Sequence, residues 1–363
     1  MSRSFSGSGN KVEIVGAGLA GLVAGINLAR EGFEVVIYEK EKSCGGRPNF
    51  RPDPAGSPFN FDKLKDFIGV DISPACRRTS EWTFYVWGGK GKVYRMPESF
   101  EGYMIERSGR QSSLDYLLTQ EALDAGVTIE YSREFRGWDD FANLPPNSII
   151  TTGMEAHVYR SLGLPLVNLY MVYARGRCDM VEPTVAGYFD LYTKDYGFTS
   201  SINKVCFAIM FGRAGTMTQS GIERFKQQVA ETAPYELGPW QTMEWAAVPT
   251  ATMFRPRLYW EDKILAGTLA GIMDPTMYFG MLGALVSGKV AAIAVTDRKR
   301  AERLFKQATR TYSRSWLIKR TLDLLPDTLR HPLTDFALSA LENRSDKFWE
   351  NVWSIVPGYD VFG

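Results

Sequence analysis

A glycine-rich turn near the N-terminus restricts the fold of this chain more than any other feature. The turn, Gly16-Ala17-Gly18-Leu19-Ala20-Gly21, follows a short strand-like run at residues 11–15 and precedes apolar residues at helical spacing up to Leu28. In such a strand, turn and helix, Gly16 permits the tight turn, Gly18 lets the main chain approach a pyrophosphate, and Gly21 allows close packing. The N–H groups of Leu19 and Ala20 open the helix, where they face phosphates favourably. The pattern predicts a site for a nucleotide diphosphate.

The residues after this helix complete a compact β-α-β unit. Gly32 ends the helix, residues 34–38 are a second strand, and Glu39 stands at its end. An acidic residue at this position accepts hydrogen bonds from a ribose diol. A Gly-x-Gly-x-x-Gly motif alone is a weak signal, but here the strand, the helix and the acid all agree. Residues 11–39 are therefore predicted to hold the ADP half of a dinucleotide.

The remaining sequence predicts an α/β fold of several parts. Predicted elements are a loop at 41–62, a hairpin at 82–94, a helix at 111–125, strands at 127–131 and 148–152, successive strands over 166–211, a helix at 222–233 and a strand at 241–252. We predict a discontinuous Rossmann-like domain (11–75, 103–163 and 262–297) with an inserted, mostly antiparallel sheet domain (76–102 and 164–261). Residues 298–363 are predicted to be helical, with breaks at Pro326 and Pro332.

Composition excludes several classes of function. The 42 Lys and Arg against 41 Asp and Glu give no reason to expect nucleic acid as a partner. Four cysteines without a CxxC pair favour a reducing cytoplasm, and two isolated histidines offer neither a metal site nor a catalytic triad. No run reaches the ~18 apolar residues of a membrane-spanning helix. Residues 1–10 are polar and Ser/Gly-rich, so we expect a flexible leader rather than a secretion signal.

Residues 12–47, ending in Cys44-Gly45-Gly46-Arg47, resemble the opening of the FAD-dependent oxidoreductases. That superfamily includes geranylgeranyl reductases, aromatic hydroxylases, phytoene desaturases and amine oxidases, and the Gly-Gly-Arg ending is most like the last two. The resemblance implies FAD as cofactor, with Lys40, Gly45, Gly46 and Arg47 near its phosphates and ribityl chain. A solvated surface position for Arg47 remains open.

Two later stretches extend the resemblance to the reductase and hydroxylase branch. Residues 149–163 are similar to its central strand-and-turn motif, where Thr152, followed by Gly153, occupies a position that is usually Asp. Residues 264–292 resemble the segment beneath the flavin, and there Gly267 precedes Thr268, again in place of an Asp. The resemblance implies that the helix from about Gly280 points its N–H groups at the flavin pyrimidine. Ordinary buried strand and helix are the alternatives.

Further positions follow from the same resemblance. Arg107 resembles an arginine that relatives place near the flavin, although a salt bridge flanking a helix would explain it equally well. Tyr188, Tyr192, Tyr196 and Phe198 occupy the place of an aromatic strand pair that faces substrate in geranylgeranyl reductases. They are expected to line an apolar substrate pocket, with plain sheet packing as the alternative.

These features predict an FAD-dependent oxidoreductase that transfers a hydride to or from an apolar, unsaturated substrate, with reduction of a C=C bond as first choice. The alternatives are a desaturase or amine oxidase-like dehydrogenase, a flavin monooxygenase, and a non-catalytic scaffold that keeps the dinucleotide fold. Since no second Gly-x-Gly-x-x-Gly unit is present, NAD(P)H would bind transiently or a redox protein would donate electrons. The basic helices after residue 297 either pack against the flavin-binding domain with a solvated outer face, which we favour, or contact an anionic membrane.

Overall fold

The computed structural model describes residues 10–46, 52–95, 101–190, 192–213, 215–248, 256–339, 347–348, 351 and 356–359. In these ranges the elements are, in chain order, β1 (Lys11–Val15), α1 (Leu19–Arg30), β2 (Glu34–Tyr38), β3 (Asp53–Pro58), α2 (Phe61–Ile68), β4 (Cys76–Arg78), β5 (Glu81–Val86), β6 (Lys92–Arg95), β7 (Gly102–Arg107), α3 (Leu114–Asp124), β8 (Thr128–Glu130), α4 (Trp138–Ala142), β9 (Ile149–Ile150), α5 (Ala156–Ser161), β10 (Val167–Arg177), β11 (Thr184–Phe189), β12 (Tyr196–Ile202), β13 (Val205–Arg213), α6 (Gln219–Thr232), β14 (Gln241–Val248), β15 (Tyr259–Trp260), β16 (Lys263–Leu265), α7 (Met281–Thr296), α8 (Arg298–Ala308), α9 (Tyr312–Leu324) and α10 (Asp327–Ser339).

The first layer is a six-stranded sheet built on the predicted β-α-β unit. Its strand order is β15-β16-β9-β1-β2-β8, and all neighbours are parallel except β15 and β16. Helices α1 and α7 pack together on this sheet, and the apolar side chains of β1, β9 and β16 are fully buried beneath them. The strands therefore present their carboxyl ends, and with them the glycine turn, at one edge, where ligands bind in open α/β sheets.

The second layer is a seven-stranded sheet in the order β14-β10-β13-β12-β11-β5-β6, antiparallel except for the β11–β5 pair. Strands β5 and β6 form the predicted hairpin, with Glu81 opposite Arg95. One face of the sheet is covered by α6, whose Phe225 is completely buried. The other face is aromatic and turns toward the first layer. The inserted, mostly antiparallel sheet is thus present as predicted.

A third, small sheet corrects the prediction of a loop at residues 41–62. Strand β3 pairs antiparallel with β7, which also pairs with β4. The sequence of β3, Asp-Pro-Ala-Gly-Ser-Pro, is poor in strand-forming residues, and only its partner β7 makes it a strand. Pro54 and Pro58 are tolerated because β3 is an edge strand, where a missing N–H breaks no ladder on the open side.

Residues 298–339 are helical as predicted, but one predicted break is wrong. Helix α9 ends before Pro326, whereas Pro332 lies inside α10. The helix continues through Pro332 because tertiary contacts hold it on both sides. Arg330 makes a buried ion pair with Asp190 at 2.7 Å, and Lys92 reaches Asp335 at 2.6 Å. Within the described ranges, no helix has both the length and the apolar character needed to cross a bilayer.

Candidate functional site

A cavity of about 420 Å³ lies between the six-stranded and seven-stranded sheets. Its size is within the range usual for small-molecule sites, about 300–1,000 Å³. Polar groups come from the glycine turn and the strand ends of the first layer, and the second layer contributes aromatic and aliphatic side chains. The predicted cofactor residues that line it are Gly16, Gly18, Leu19, Ala20, Glu39, Lys40, Gly46, Arg107, Thr152, Gly153, Gly267, Thr268 and Gly280.

The three glycines of the turn have different surroundings. A Cβ on Gly16, which has φ +102°, would lie 2.7 Å from the carbonyl oxygen of Thr151, and one on Gly21 would lie 2.0 Å from that of Gly16. Gly21 does not line the cavity, so its role is to bring α1 close to the turn. A Cβ on Gly18 would meet nothing within 4 Å. Packing therefore explains the first and third glycines, while the second is open to the cavity.

Glu39 stands beside this turn and is anchored by two main-chain donors. Its carboxylate accepts hydrogen bonds from the N–H of Ala17 at 2.8 Å and of Glu41 at 2.9 Å. Burial raises the pKa of Glu39 above its ordinary value, although both N–H groups oppose that shift. Since a carboxylate offers about four acceptor positions, Glu39 retains two for a ribose diol. Lys40 is engaged elsewhere, in an ion pair with Glu155 at 2.7 Å.

An aromatic and cationic stack at the end of β2 was missed by the sequence reasoning. The guanidinium of Arg133 lies 4.1 Å from the centre of the Tyr38 ring, and Phe135 packs on the same ring at 5.5 Å. All three residues line the cavity. Residues 133–135 follow β8 just as Glu39 follows β2, and parallel neighbours bring their carboxyl ends together. That adjacency was the available signal, and it gives the cavity a flat surface suited to an adenine ring.

Thr152 and Thr268, which stand where the similar sequences usually have Asp, also line the cavity. The hydroxyl of Thr152 is buried and has no hydrogen-bond partner among the described residues. Such an orphaned polar atom is uncommon and indicates a missing ligand or water. The main-chain carbonyl oxygen of Thr268 accepts a hydrogen bond from the Tyr159 hydroxyl at 2.8 Å, and Gly280 is the N-cap residue of α7. Both threonines line the cavity, and a hydroxyl is a suitable hydrogen-bonding group for a polyhydroxyl chain such as the ribityl group.

Arg107 reaches the cavity as half of a bidentate ion pair. Its guanidinium donates to Asp115 at 2.8 and 2.9 Å. Burial opposes its charge, but the Asp115 carboxylate outweighs that effect and raises the pKa of Arg107. The helix-flanking salt bridge and the cavity position are therefore both present. Gly45 lies next to Ser108 and Gly109, whereas Arg47 is outside the described residues.

The cavity's apolar wall consists of the lining residues of β5 and β10–β13 together with those of residues 273–280. Tyr196 and Phe198 belong to it, as expected, with Phe189, Phe207 and Phe211 beside them. No side chain of this wall, among the described residues, carries a formal charge. The wall accordingly favours a flat or elongated apolar ligand.

Tyr188 and Tyr192 were expected in the same pocket, and the structure places both on the opposite side of the sheet. Tyr188 stacks on Tyr85 at 4.9 Å and bonds Thr232 at 2.9 Å, while Tyr192 bonds Gln228 at 3.3 Å. Side chains alternate between the faces of a strand, so Phe189 points into the cavity and Tyr188 points under α6. The prediction was right about the strand but wrong about the face of the sheet on which Tyr188 lies.

Comparison with known proteins supports the first layer at the level of sequence. Residues 14–63 match the model of the NAD(P)-binding Rossmann-like domain. A flavin-containing monooxygenase of Arabidopsis thaliana, FMO GS-OX2, is 36% identical over 70 residues, which are 19% of this chain and 15% of that protein. An NAD-dependent dihydropyrimidine dehydrogenase subunit PreT homolog of Salmonella typhi is 25% identical over 167 residues, or 43% of this chain and 38% of that protein. The matches thus span much less than two thirds of these relatives.

Solved structures extend the likeness to nearly the whole chain. A geranylgeranyl bacteriochlorophyll reductase-like protein of Thermoplasma acidophilum has a TM-score of 0.67 at 17% identity, with 90% of both chains covered. A p-nitrophenol 4-monooxygenase of Pseudomonas putida has a TM-score of 0.59 at 13% identity, with 95% of this chain and 97% of that chain covered. The chain therefore has a segment that matches the NAD(P)-binding Rossmann-like domain, within an overall fold similar to that of these two proteins.

Proposed function

We propose that this chain is an FAD-dependent oxidoreductase that transfers a hydride to an apolar, unsaturated substrate. The observation that carries the proposal is the open approach to the main chain at Gly18 beside Glu39, in a cavity whose far wall is apolar. When bound, FAD supplies the two-electron chemistry. Gly18 and the N-terminus of α1 would hold its pyrophosphate, Glu39 its adenosine ribose, and Thr152 with Thr268 its ribityl chain.

Other residues would orient the cofactor and exclude water. The Tyr38, Arg133 and Phe135 stack suits the adenine, and the N-terminus of α7 would direct its N–H groups to the electron-rich edge of the flavin. The apolar wall removes water from the reacting centre, which favours hydride transfer over hydrolysis of reactive intermediates. Electrons would come from transiently bound NAD(P)H or from a redox protein.

Reduction of a C=C bond is the first candidate reaction, because an uncharged aromatic wall suits an uncharged unsaturated ligand. Monooxygenation is the second, and the monooxygenases among the similar proteins favour it. A desaturase or amine oxidase-like dehydrogenase and a non-catalytic scaffold are the remaining alternatives. Turnover under strictly anaerobic conditions separates the first two reactions, since a reductase continues to turn over and a monooxygenase stops.

The proposal is tested by examining the gently purified protein for bound flavin. We expect a yellow preparation whose absorption bleaches with a reductant, and mass spectrometry of the released small molecules should report FAD together with any bound apolar ligand. A colourless protein that cannot be reconstituted with FAD would favour the scaffold and would overturn the enzyme proposal.

Contact with a membrane surface is a further part of the proposal. Residues 298–339 contain ten Lys and Arg against four Asp and Glu. Large apolar side chains of α9 and α10 are exposed, namely Leu317, Ile318, Leu324, Leu329, Leu333 and Phe336. Exposed apolar side chains in a segment with an excess of Lys and Arg suit an anionic lipid surface. Sedimentation with vesicles of phosphatidylserine and phosphatidylcholine should recover the protein, whereas no binding would leave α9 and α10 as solvated helices.

A further inference from the structure

The apolar wall contains very few groups that could supply a proton. Among its described side chains, only Tyr196 and Tyr278 carry a titratable proton. Their hydroxyls have different partners. The Tyr196 hydroxyl donates to the carbonyl oxygen of Met277 at 2.5 Å, whereas the Tyr278 hydroxyl donates to the carboxylate of Asp195 at 2.7 Å. A carbonyl oxygen cannot return a proton, but a carboxylate can. Only Tyr278 is therefore connected to an acid–base group.

Asp195 is the inner end of a chain of charged groups that reaches the surface. Its side chain is fully buried. Its carboxylate forms ion pairs with Lys319 of α9 at 3.0 Å and with Arg213 of β13 at 3.4 Å. Lys319 also donates to Asp323 at 2.6 Å. The side chains of Lys319 and Asp323 are each 9% exposed, so this ion pair is the outer end of the chain of charged groups and contacts solvent.

The charges of this network are balanced, and its geometry is fixed. Burial opposes ionisation of Asp195, but Lys319, Arg213 and the Tyr278 hydroxyl outweigh it and lower the pKa of that carboxyl. Tyr278 itself has φ +57°, a conformation that non-glycine residues rarely adopt. Such strain persists only where surrounding contacts hold it, and it clusters at functional sites. The bond to Asp195 is one such contact.

We propose that Tyr278 is the proton donor of the cavity and that Asp195 and Lys319 resupply it from the surface. The inference rests on the proposed function, because a proton is required only if a hydride is transferred. A hydride, which bound reduced flavin would supply, would form a bond to one carbon of the substrate double bond as the π bond breaks. The O–H bond of Tyr278 would break and its proton would bond the other carbon, leaving a phenolate. The phenolate then takes a proton from Lys319 through Asp195, and Lys319 regains one from solvent.

A matched pair of variants tests the proposal, since Tyr278→Phe removes one hydroxyl from the apolar wall and Tyr188→Phe removes one from the opposite face of the seven-stranded sheet. The probe is menadione, an apolar quinone that also requires a hydride and a proton. In the FAD-loaded, reduced enzyme, we expect Tyr278→Phe to lower kcat at least about 10²-fold with little change in KM, as for loss of a general acid. Tyr188→Phe, which changes no residue of the cavity lining, should stay within about twofold of the unsubstituted enzyme. Equal rates in the two variants would overturn the inference while leaving the proposed function intact.

A second readout needs neither cofactor nor turnover. In protein labelled with ¹³C at the tyrosine ring carbon bearing the hydroxyl, the Tyr278 resonance is assigned by its loss in Tyr278→Phe. Because an ionised carboxylate accepts its hydrogen bond, this resonance should move as acidic pH protonates Asp195, and the movement should vanish in Asp195→Asn. A resonance that does not respond to pH would overturn the coupling. A protein that cannot be loaded with FAD would overturn both the proposed function and this inference.

Discussion

Replacing Gly18 and Gly21 by Ala, one at a time, distinguishes a glycine required for ligand binding from one required for packing. Gly18 is the N-cap of α1 with φ −80° and ψ −178°, a conformation open to any residue, and its added Cβ would meet no protein atom within 4 Å. Gly21→Ala is the contrasting change, because its Cβ would lie 2.0 Å from the carbonyl oxygen of Gly16. The two substitutions add the same methyl group to the same turn.

The expected magnitudes differ for stability and for binding. For Gly18→Ala, loss of chain entropy in the unfolded state stabilises by about 0.4–1 kcal/mol, and a poorer N-cap costs a similar amount. The free energy of unfolding should therefore change by no more than about 0.5 kcal/mol. The methyl group would, however, occupy the space of the pyrophosphate, and overlap of this kind costs about 1–3 kcal/mol, or roughly 5- to 150-fold in Kd. Gly21→Ala should instead destabilise the apoprotein by at least about 1–3 kcal/mol.

Urea unfolding of the apoproteins measures the first quantity, and quenching of flavin fluorescence during titration with FAD measures the second. The account requires Gly18→Ala to be as stable as the unsubstituted protein and to bind FAD more weakly. If Gly18→Ala is stable and binds FAD equally well, the main chain at Gly18 does not approach the pyrophosphate, and the reasoning is refuted.

Three further substitutions test the electrostatics and the assignment of faces. Burial raises the pKa of Glu39, so its ionisation lowers the free energy of unfolding as pH rises through that pKa. Urea unfolding at pH 5 and 7.5 should show this loss of stability in the unsubstituted protein, and Glu39→Gln should not show it. The pKa of Asp195 is lowered, so its ionised form stabilises the protein at neutral pH and that stabilisation is lost in acid. Asp195→Asn should lower the free energy of unfolding by about 3–5 kcal/mol at neutral pH, since Lys319 loses a buried partner. Thermal unfolding should show that the difference in stability between variant and unsubstituted protein shrinks below about pH 4. Tyr188→Phe should cost about 0.5–1.5 kcal/mol through its bond to Thr232 and leave binding of FAD unchanged; weaker binding would contradict its place under α6.

The parts of the fold and site that could be predicted are those with local signals. The turn at residues 16–21, the helix after it and Glu39 at the end of β2 depend on neighbours in sequence, so spacing alone indicated their arrangement. The aromatic strands were recognisable for the same reason. Their faces were not, because a shift of one residue exchanges the two sides of a strand. Tyr188 and Phe189 are adjacent in the chain and lie in different cores.

The parts that could not be predicted depend on contacts between distant segments. Strand β3 exists only through its pairing with β7, and its own composition favours a loop. Arg133 comes to lie on Tyr38 through the pairing of β8 with β2. The ion pair of Asp195 with Lys319 joins the inserted sheet to a C-terminal helix, and nothing in either local sequence indicates the partner. Pairing at long range, rather than residue type, decides these features.

The most direct test of the central claim compares FAD with FMN, which has the same flavin and lacks the adenosine monophosphate half. Calorimetric titration of the apoprotein should show one site for FAD and at least tenfold weaker binding of FMN, because the glycine turn, Glu39 and the Arg133 stack recognise that half. Equal affinity for the two flavins, or no affinity for either, would contradict the account.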